Sequence, residues 1–353
     1  MVIVHSAGEA CARSFTSRAR RVTAFVPLVA ALTAGTAAAQ IVEATGSRAL
    51  GMGGAFVAVA NDASATWWNP SGLGDGPFFT MSLARAVTES GDGTPSQRHR
   101  VASFAVAFPA GGLGYYRLRL TEIRAPGSTG DGDGVREEEQ GEVPVRSLAV
   151  SQYGVSLLQE PISDVLVGTT LKYLRGTHRS VIGMPGSAPD LLDAGEDLEG
   201  GGTDHEFDLD VGVLAARGPI KGGAVVRNLR APEFEDPSGA VMRLPRQVRV
   251  GVAFDGARDG LLPLTVSLDA DVRRYETAVG DRRVVAVGVE HWFFRERLGL
   301  RTGGRFNTVG AEDRAATGGV SVALRNAVYV DAHVVHGGTP EDQGWGLATR
   351  VSF

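Results

Sequence analysis

Residues 264–273 read Leu264-Thr265-Val266-Ser267-Leu268-Asp269-Ala270-Asp271-Val272-Arg273, with apolar and polar side chains alternating from end to end. A period of two marks a β-strand with two unlike faces. Leu264, Val266, Leu268, Ala270 and Val272 make one face; Thr265, Ser267, Asp269, Asp271 and Arg273 make the other. The pattern recurs on both sides of this stretch. Residues 297–306 set Leu298, Leu300 and Phe306 against Arg297, Arg301 and Arg305, and residues 247–255 set Val248, Val250, Val252 and Phe254 against Arg249 and Asp255. Residues 206–215 set Phe207, Leu209, Val211 and Val213 against Asp208 and Asp210. A soluble sheet with one wet face would alternate too. So many strands of similar length argue instead for a barrel with lipid on one side of its wall and a polar lumen on the other.

Extending this reading along the chain predicts fourteen strands: 78–85, 98–108, 113–123, 146–157, 164–176, 206–215, 220–229, 247–255, 264–273, 282–292, 297–306, 314–323, 328–336 and 344–353. Most are close to the ~9–11 residues that a tilted strand needs to cross a bilayer. Long polar stretches such as 127–142 and 182–205 follow odd-numbered strands, whereas tight joins such as 109–112, 216–219 and 325–327 follow even-numbered ones. Short turns on the periplasmic rim and longer loops outside are what a transmembrane barrel requires. The predicted fold is an all-β, antiparallel transmembrane β-barrel of about 14 strands with a small N-terminal plug, residues 78–353 forming the barrel and 40–77 the plug. Charges of both signs face the lumen, with Asp269, Asp271, Arg273, Arg297, Arg301, Arg305, Asp331 and His333 the candidates. Strand four changes hydrophobic phase between Leu148/Val150 and Val155/Leu157, which predicts a bulge at Gln152, Tyr153 and Gly154.

Arg13, Arg18, Arg20 and Arg21 precede an apolar run over 22–34 and a small-residue site at Ala37-Ala38-Ala39. This is the layout of a secretory signal peptide over residues 1–39, cleaved near Ala39/Gln40. The long basic region leaves the true start codon open, with one downstream of Met1 an alternative. Removing 1–39 takes away four Arg and one Glu, leaving 31 basic against 39 acidic residues, a net charge of −8. An exported acidic chain is a poor fit to nucleic acid. The single cysteine, Cys11, leaves with the signal, so disulfide and thiol chemistry are not expected. Export, alternating strands and the absence of a long apolar run point to the bacterial outer membrane, with lipid as the surrounding partner. The last strand alternates and stops on Phe353, which resembles the C-terminal signal that the barrel-assembly machinery reads in outer-membrane barrels.

Ahead of the strands, three blocks follow one another: Arg48-Ala49-Leu50-Gly51-Met52-Gly53-Gly54-Ala55, Asn61-Asp62-Ala63-Ser64, and Trp68-Asn69-Pro70-Ser71-Gly72-Leu73. Together they resemble the N-terminal signature of the FadL-like outer-membrane superfamily, in particular its PorV/PorQ branch. The resemblance implies a plug inside a 14-stranded barrel, with Gly51, Gly53, Gly54, Asn61, Asp62, Trp68, Asn69 and Pro70 as plug or gating residues. The residues themselves fit a compact insert. The glycines permit close backbone approach, Asp62 or Ser64 suits a helix cap, Asn69-Pro70 reads as a turn, and Trp67 and Trp68 suit anchors to the wall or the periplasmic interface.

Other local chemistry is weaker. Gly51 to Gly54 lacks the Lys-Ser/Thr of a phosphate loop, and Asp131 to Gly134 lacks the later ligands of a calcium loop. Asp331, His333 and Ser321 lack a nucleophile motif. No catalytic site, metal site or cofactor is expected. The resemblance implies passage of small hydrophobic molecules through the outer membrane, with lateral exit through the barrel wall. An apolar pocket running from the outer loops to the lumen is the expected mark of that function. The alternative, taken from the PorV-like branch, is an accessory barrel that binds secreted proteins for surface delivery, with loop 182–205 as the contact surface.

Overall fold

A computed structural model describes residues 45–353 apart from 92, 125–142, 185, 199–201, 236, 238, 240, 278–279, 311–312 and 339–342. The expected signal peptide, its cleavage site and the 131–134 loop lie outside the described residues. Fourteen antiparallel strands form one closed barrel. They are β1 (Thr80–Ser90), β2 (Ser96–Phe108), β3 (Gly111–Ile123), β4 (Val143–Ile162), β5 (Val165–Gly183), β6 (Asp204–Arg217) and β7 (Ile220–Arg227), followed by β8 (Gln247–Asp255), β9 (Leu264–Asp271), β10 (Val284–Phe293), β11 (Leu298–Asn307), β12 (Arg314–Arg325), β13 (Val328–Gly337) and β14 (Gln343–Ser352). Every barrel strand pairs with its sequence neighbour, and β1 closes on β14 from Thr80↔Ser352 to Glu89↔Gln343. Closure pairs the strands on both sides, as a wall in lipid requires, except along the upper part of β6, above Val211, on its β7 side.

Two rims result. Residues 109–110, 163–164, 218–219, 256–263, 294–297 and 326–327 make one, mostly of tight turns, where Phe353 also ends. The other carries α3 (Ala188–Glu196) and two small hairpins, Glu233–Glu235 with Val241–Arg243 and Tyr275–Thr277 with Gly280–Arg282. The first connection on this rim, 91–95, is shorter than the sequence predicts because β1 and β2 run on past the apolar belt. β4 and β5 do the same, and α3 packs on their outer side through Leu191 and Leu192 against Ile123, Val143 and Val145.

The bulge expected at Gln152, Tyr153 and Gly154 does not exist. β4 runs unbroken there, with Tyr153 opposite Tyr115 and Tyr173, and Gly154 opposite Gly114 and Lys172. The phase change has a different cause. Leu148 and Val150 point inward into an apolar part of the lumen, whereas Val155 and Leu157 point outward. A regular strand whose two faces are apolar at different heights reads as a slipped one.

Candidate functional site: the plug, the lumen and a seam in the wall

Residues 45–76 fill the barrel as short turns rather than long elements: α1 (Ser47–Gly51), α2 (Ala65–Trp68) and a 3-10 turn at Pro70–Asp75. Gly53 and Gly54 adopt φ of 70° and 83°, a region that side-chain-bearing residues avoid. The chain seats against inward-facing glycines of the wall. A Cβ on Gly303 would stand 2.4 Å from the Met52 carbonyl carbon, and one on Gly212 would collide with the Asn69 side chain. At these two glycines the wall leaves room for the plug that a side chain would fill.

Polar anchoring comes from both sides. The Asp269 carboxylate accepts from the backbone N–H groups of Phe56 and Val57 at 2.7 and 2.8 Å. Thr317 Oγ1 donates to the Gly51 carbonyl at 3.0 Å. Asn69 Nδ2 donates to the carbonyls of Val57 (2.8 Å) and Val213 (3.3 Å), joining the plug to itself and to β6. Pro70 opens the 3-10 turn, as the sequence implies. Arg48 donates to Glu290 of β10 from Nε and Nη2, the shorter contact being 2.7 Å, and also reaches Asn61 and Asp62. Arg301 of β11 donates to Glu290 Oε1 at 3.0 Å, an oxygen that Arg48 Nε also reaches at 2.9 Å. Trp68 is buried and donates to the Thr45 carbonyl, while Trp67 packs on Tyr116 of β3 at 4.9 Å with Arg227 of β7 over its ring. Trp67 thus meets the wall through Tyr116 and Arg227, and Trp68 through Arg249 of β8, 5.9 Å from its ring.

Asp62 joins Arg48 at 3.4 Å and accepts from the Ser64 N–H and hydroxyl. Burial pushes its carboxyl up, but Arg48, then Arg350 and the two Ser64 hydrogen bonds outweigh burial and hold it below the usual carboxylate range. A carboxylate with a lowered folded pKa stabilises fully above its unfolded value, about 3.9, and loses that contribution as pH falls through the folded pKa. Asp62→Asn should therefore lower the melting temperature at pH 7. The gap to wild type should shrink steadily below about pH 4; a gap independent of pH would show that the charge of Asp62 contributes nothing.

Of the predicted lumen residues, Asp269, Asp271, Arg301, Arg305, Asp331 and His333 are buried and inward. Arg297 is not: it lies exposed in the turn 294–297, because β11 begins only at Leu298. Arg273 is half-buried in the bend after β9, which stops at Asp271. Alternation continued past a strand end misplaced Arg297. Ser321 donates to Asp331 directly, and Arg350 reaches the same carboxylate at 3.2 Å, so Asp331 orients no histidine.

The lumen is divided by sector, which strand-by-strand reading could not show. Most of the charged side chains line β5–β14, whereas the outer half of the β3–β5 wall presents Leu118, Leu120, Leu148, Val150 and Leu174. Against it, the Glu233–Arg243 hairpin inserts Phe234 and Met242 from the long-loop rim. Phe234 lies where a Cβ on Gly176 would stand.

Beside that hairpin the wall has a seam. β6 and β7 pair only from Val211↔Val226 down to Arg217↔Ile220, so the upper part of β6 has no ladder partner on that side. Residues 228–235 lie along it as a strap. One backbone bond, Leu229 N–H to the Leu209 carbonyl at 3.0 Å, holds it. Carboxylates supply the rest: Asp210 accepts from the Asn228 N–H, Asp208 from Arg230, and Asp204 from Glu235, each at 2.8 Å. Lys172 of β5 ties the two inner carboxylates together, 2.8 Å from Asp208 and 2.6 Å from Asp210, and donates to Asn228 Oδ1. Sequence reading placed Asp208 and Asp210 on one strand face, but nothing in it marked Lys172 or Asn228.

A cavity of about 690 Å³ opens at this seam on the outward side of the wall, lined by Phe104, Tyr115, Tyr153, Tyr173 and Phe207 and reaching Asp208 and Arg230. This apolar cavity lies on the outward side of the wall, whereas the pocket expected from the sequence runs from the outer loops to the lumen.

A closed fourteen-strand barrel holding an inserted N-terminal plug is the FadL-type outer-membrane barrel fold. Three solved structures share it: the CymD monoaromatic hydrocarbon channel (TM-score 0.59, 12% identity, 86% of this chain and 96% of that one), the Ralstonia pickettii toluene transporter TbuX (0.57, 16%, 88% and 99%) and a FadL homologue of Pseudomonas aeruginosa (0.58, 10%, 90% and 100%). At such identities the likeness is one of fold. The chain belongs to the family described as F plasmid transfer operon, TraF, protein, whose model matches residues 91–271. No curated protein matches the sequence, and nothing in these comparisons supports the PorV/PorQ branch.

Proposed function

We propose that this protein sits in the outer membrane and passes small hydrophobic molecules through its barrel, with the β6–β7 seam as the lateral route between lumen and membrane. The seam carries this reading. It is the stretch of the described wall where side chains rather than a strand ladder close the gap, and it joins an apolar inner sector to an aromatic outer cavity. The solved structures that share the fold include proteins named as monoaromatic hydrocarbon and toluene channels or transporters, which supports an apolar cargo of that size. Charged lumen residues do not oppose it, because most of them lie away from the apolar sector.

The test is a tether across the seam. Leu209 and Leu229 already share a backbone hydrogen bond, and Cys11, the only native cysteine, is expected to leave with the signal. Cells carrying Leu209→Cys with Leu229→Cys should take up radiolabelled toluene at the rate of cells lacking the protein when the pair is oxidised, and recover on reduction. Uptake unaffected by a fully formed tether would refute passage through the seam.

A further inference from the structure

We propose that the outward wall of β1–β6 binds a phosphate-bearing glycolipid of the outer leaflet, its phosphates on a row of arginines and an acyl chain in the aromatic cavity beneath. The row follows from register. Arg85 pairs with Ala102, Ala102 with Arg117, Arg117 with Ser151, and Ser151 with Arg175. Three arginines thus alternate with two small residues across five strands. Adjacent strands lie about 4.8 Å apart, so successive arginine backbones stand about 10 Å apart, with room between them for a phosphate. All three side chains are exposed, and none has a partner among the described residues.

The rows above and below fix the height. Higher on the same wall, the acidic side chains of α3 neutralise arginines: Arg98 meets Asp193 and Glu196, Arg100 meets Glu196, and Arg119 donates to the Glu196 carbonyl at 3.1 Å. A helix that adds these ion pairs to its Leu191 and Leu192 contacts marks the aqueous side. One row below Arg85, Arg117 and Arg175 comes an apolar and aromatic line, Leu83–Phe104–Tyr115–Tyr153–Tyr173–Phe207, continuous through the same ladders. Aromatic rings with a polar end settle at the headgroup level. The unpaired arginines therefore stand at the depth of the headgroups, where a lone cation on a lipid-facing wall is unfavourable without an anion.

The ligand chemistry follows. Guanidinium groups bind phosphate oxygens in bidentate fashion and are less strongly hydrated than ammonium groups. The cavity directly below accepts a hydrocarbon chain. Several phosphates spaced along a row and carried by one acylated molecule match a diphosphorylated, multiply acylated disaccharide better than a phospholipid with a single phosphate. The proposal shares the outer-membrane placement with the passage reading but does not depend on passage, and a binding measurement separates the two.

The experiment is native mass spectrometry of the full purified chain with added diphosphoryl hexa-acyl disaccharide lipid. Parallel arms use the same lipid after enzymatic dephosphorylation, dioleoyl phosphatidylglycerol, and inorganic phosphate. The diphosphorylated lipid should be retained, the dephosphorylated one at least tenfold less, and inorganic phosphate not at all. Combined Arg85→Gln, Arg117→Gln and Arg175→Gln should lower retention at least tenfold, with heat-dependent gel mobility reporting that the barrel is folded. Equal retention of the dephosphorylated lipid would overturn the proposal, as would undiminished binding by the folded triple variant. Phosphatidylglycerol retained as well as the disaccharide would overturn the assignment to a glycolipid. The lipid comparison uses wild-type protein, so it decides the matter even if the variant fails to fold.

Discussion

Glu290→Ala should destabilise the barrel by about 3–5 kcal/mol, the cost of breaking a buried ion pair from one side. Glu290 is almost fully buried and shares its two oxygens between Arg48 of the plug, at 2.7 Å, and Arg301 of the wall, at 3.0 Å. Removing it leaves two buried guanidiniums facing each other across the vacated space. Asp331 is the nearest carboxylate to Arg301, at 3.8 Å, and already serves Ser321 and Arg350. Arg48 keeps only Asn61 and Asp62, both within its own segment. The chief link between plug and wall on the β10–β11 side is then lost. A cysteine introduced at Ala49, fully buried in α1, should react with a water-soluble maleimide many times faster in the Glu290→Ala background. Glu290→Gln, which keeps hydrogen-bond acceptance without charge, should fall between wild type and alanine. Wild-type-like stability and labelling in Glu290→Ala would show that the glycine-lined seat alone retains the plug.

The second large effect is expected from Gly303→Val. The first carbon of any side chain there would stand 2.4 Å from the Met52 carbonyl carbon and 2.5 Å from the Gly53 nitrogen. Both are backbone atoms, so no rotamer change relieves the clash. Overpacking typically costs about 1–3 kcal/mol and more where the backbone must shift, and this site belongs at the upper end. The barrel strands themselves should still pair. The expected phenotype is an inserted barrel with a displaced plug, seen as lowered melting temperature and raised single-channel conductance in planar bilayers. Gly318→Val gives the contrast: a Cβ there meets only the end of Val334, at 4.0 Å, so stability and conductance should stay near wild type. Equal behaviour of the two variants would mean that the plug does not bear on Gly303.

The alternation in residues 264–273 identified β9 to within two residues, and Gln247–Asp255 coincides with the observed β8. Such legibility has a physical origin. Each side chain of a barrel strand meets either hydrocarbon or a polar interior, so the period of two is enforced along its length. Errors arose where that condition lapses. β4 and β5 extend beyond the apolar belt, where the outer face meets water and α3 rather than lipid, and there the alternation no longer marks the strand's limits. The apparent slip at Gln152–Gly154 came from an apolar lumen sector built by a hairpin more than seventy residues further along.

What the sequence determined by itself is therefore the barrel: its strand number, the inequality of its rims, and the presence of an insert at Arg48–Leu73. The first two depend on local periodicity and on turn chemistry, both written in neighbouring residues; the insert was implied by the resemblance of three sequence blocks to the FadL-like signature. Only the tertiary structure decided how the plug is held, where the wall is weak and which outward residues form a line. Glu290 finds Arg48 across 242 positions of sequence, and Lys172 gathers Asp208 and Asp210 from β6 and Asn228 from the strap. Arg85, Arg117 and Arg175 become neighbours only when the register of four ladders is set. Closing a sheet brings together residues distant in sequence, and no local pattern records which of them will meet.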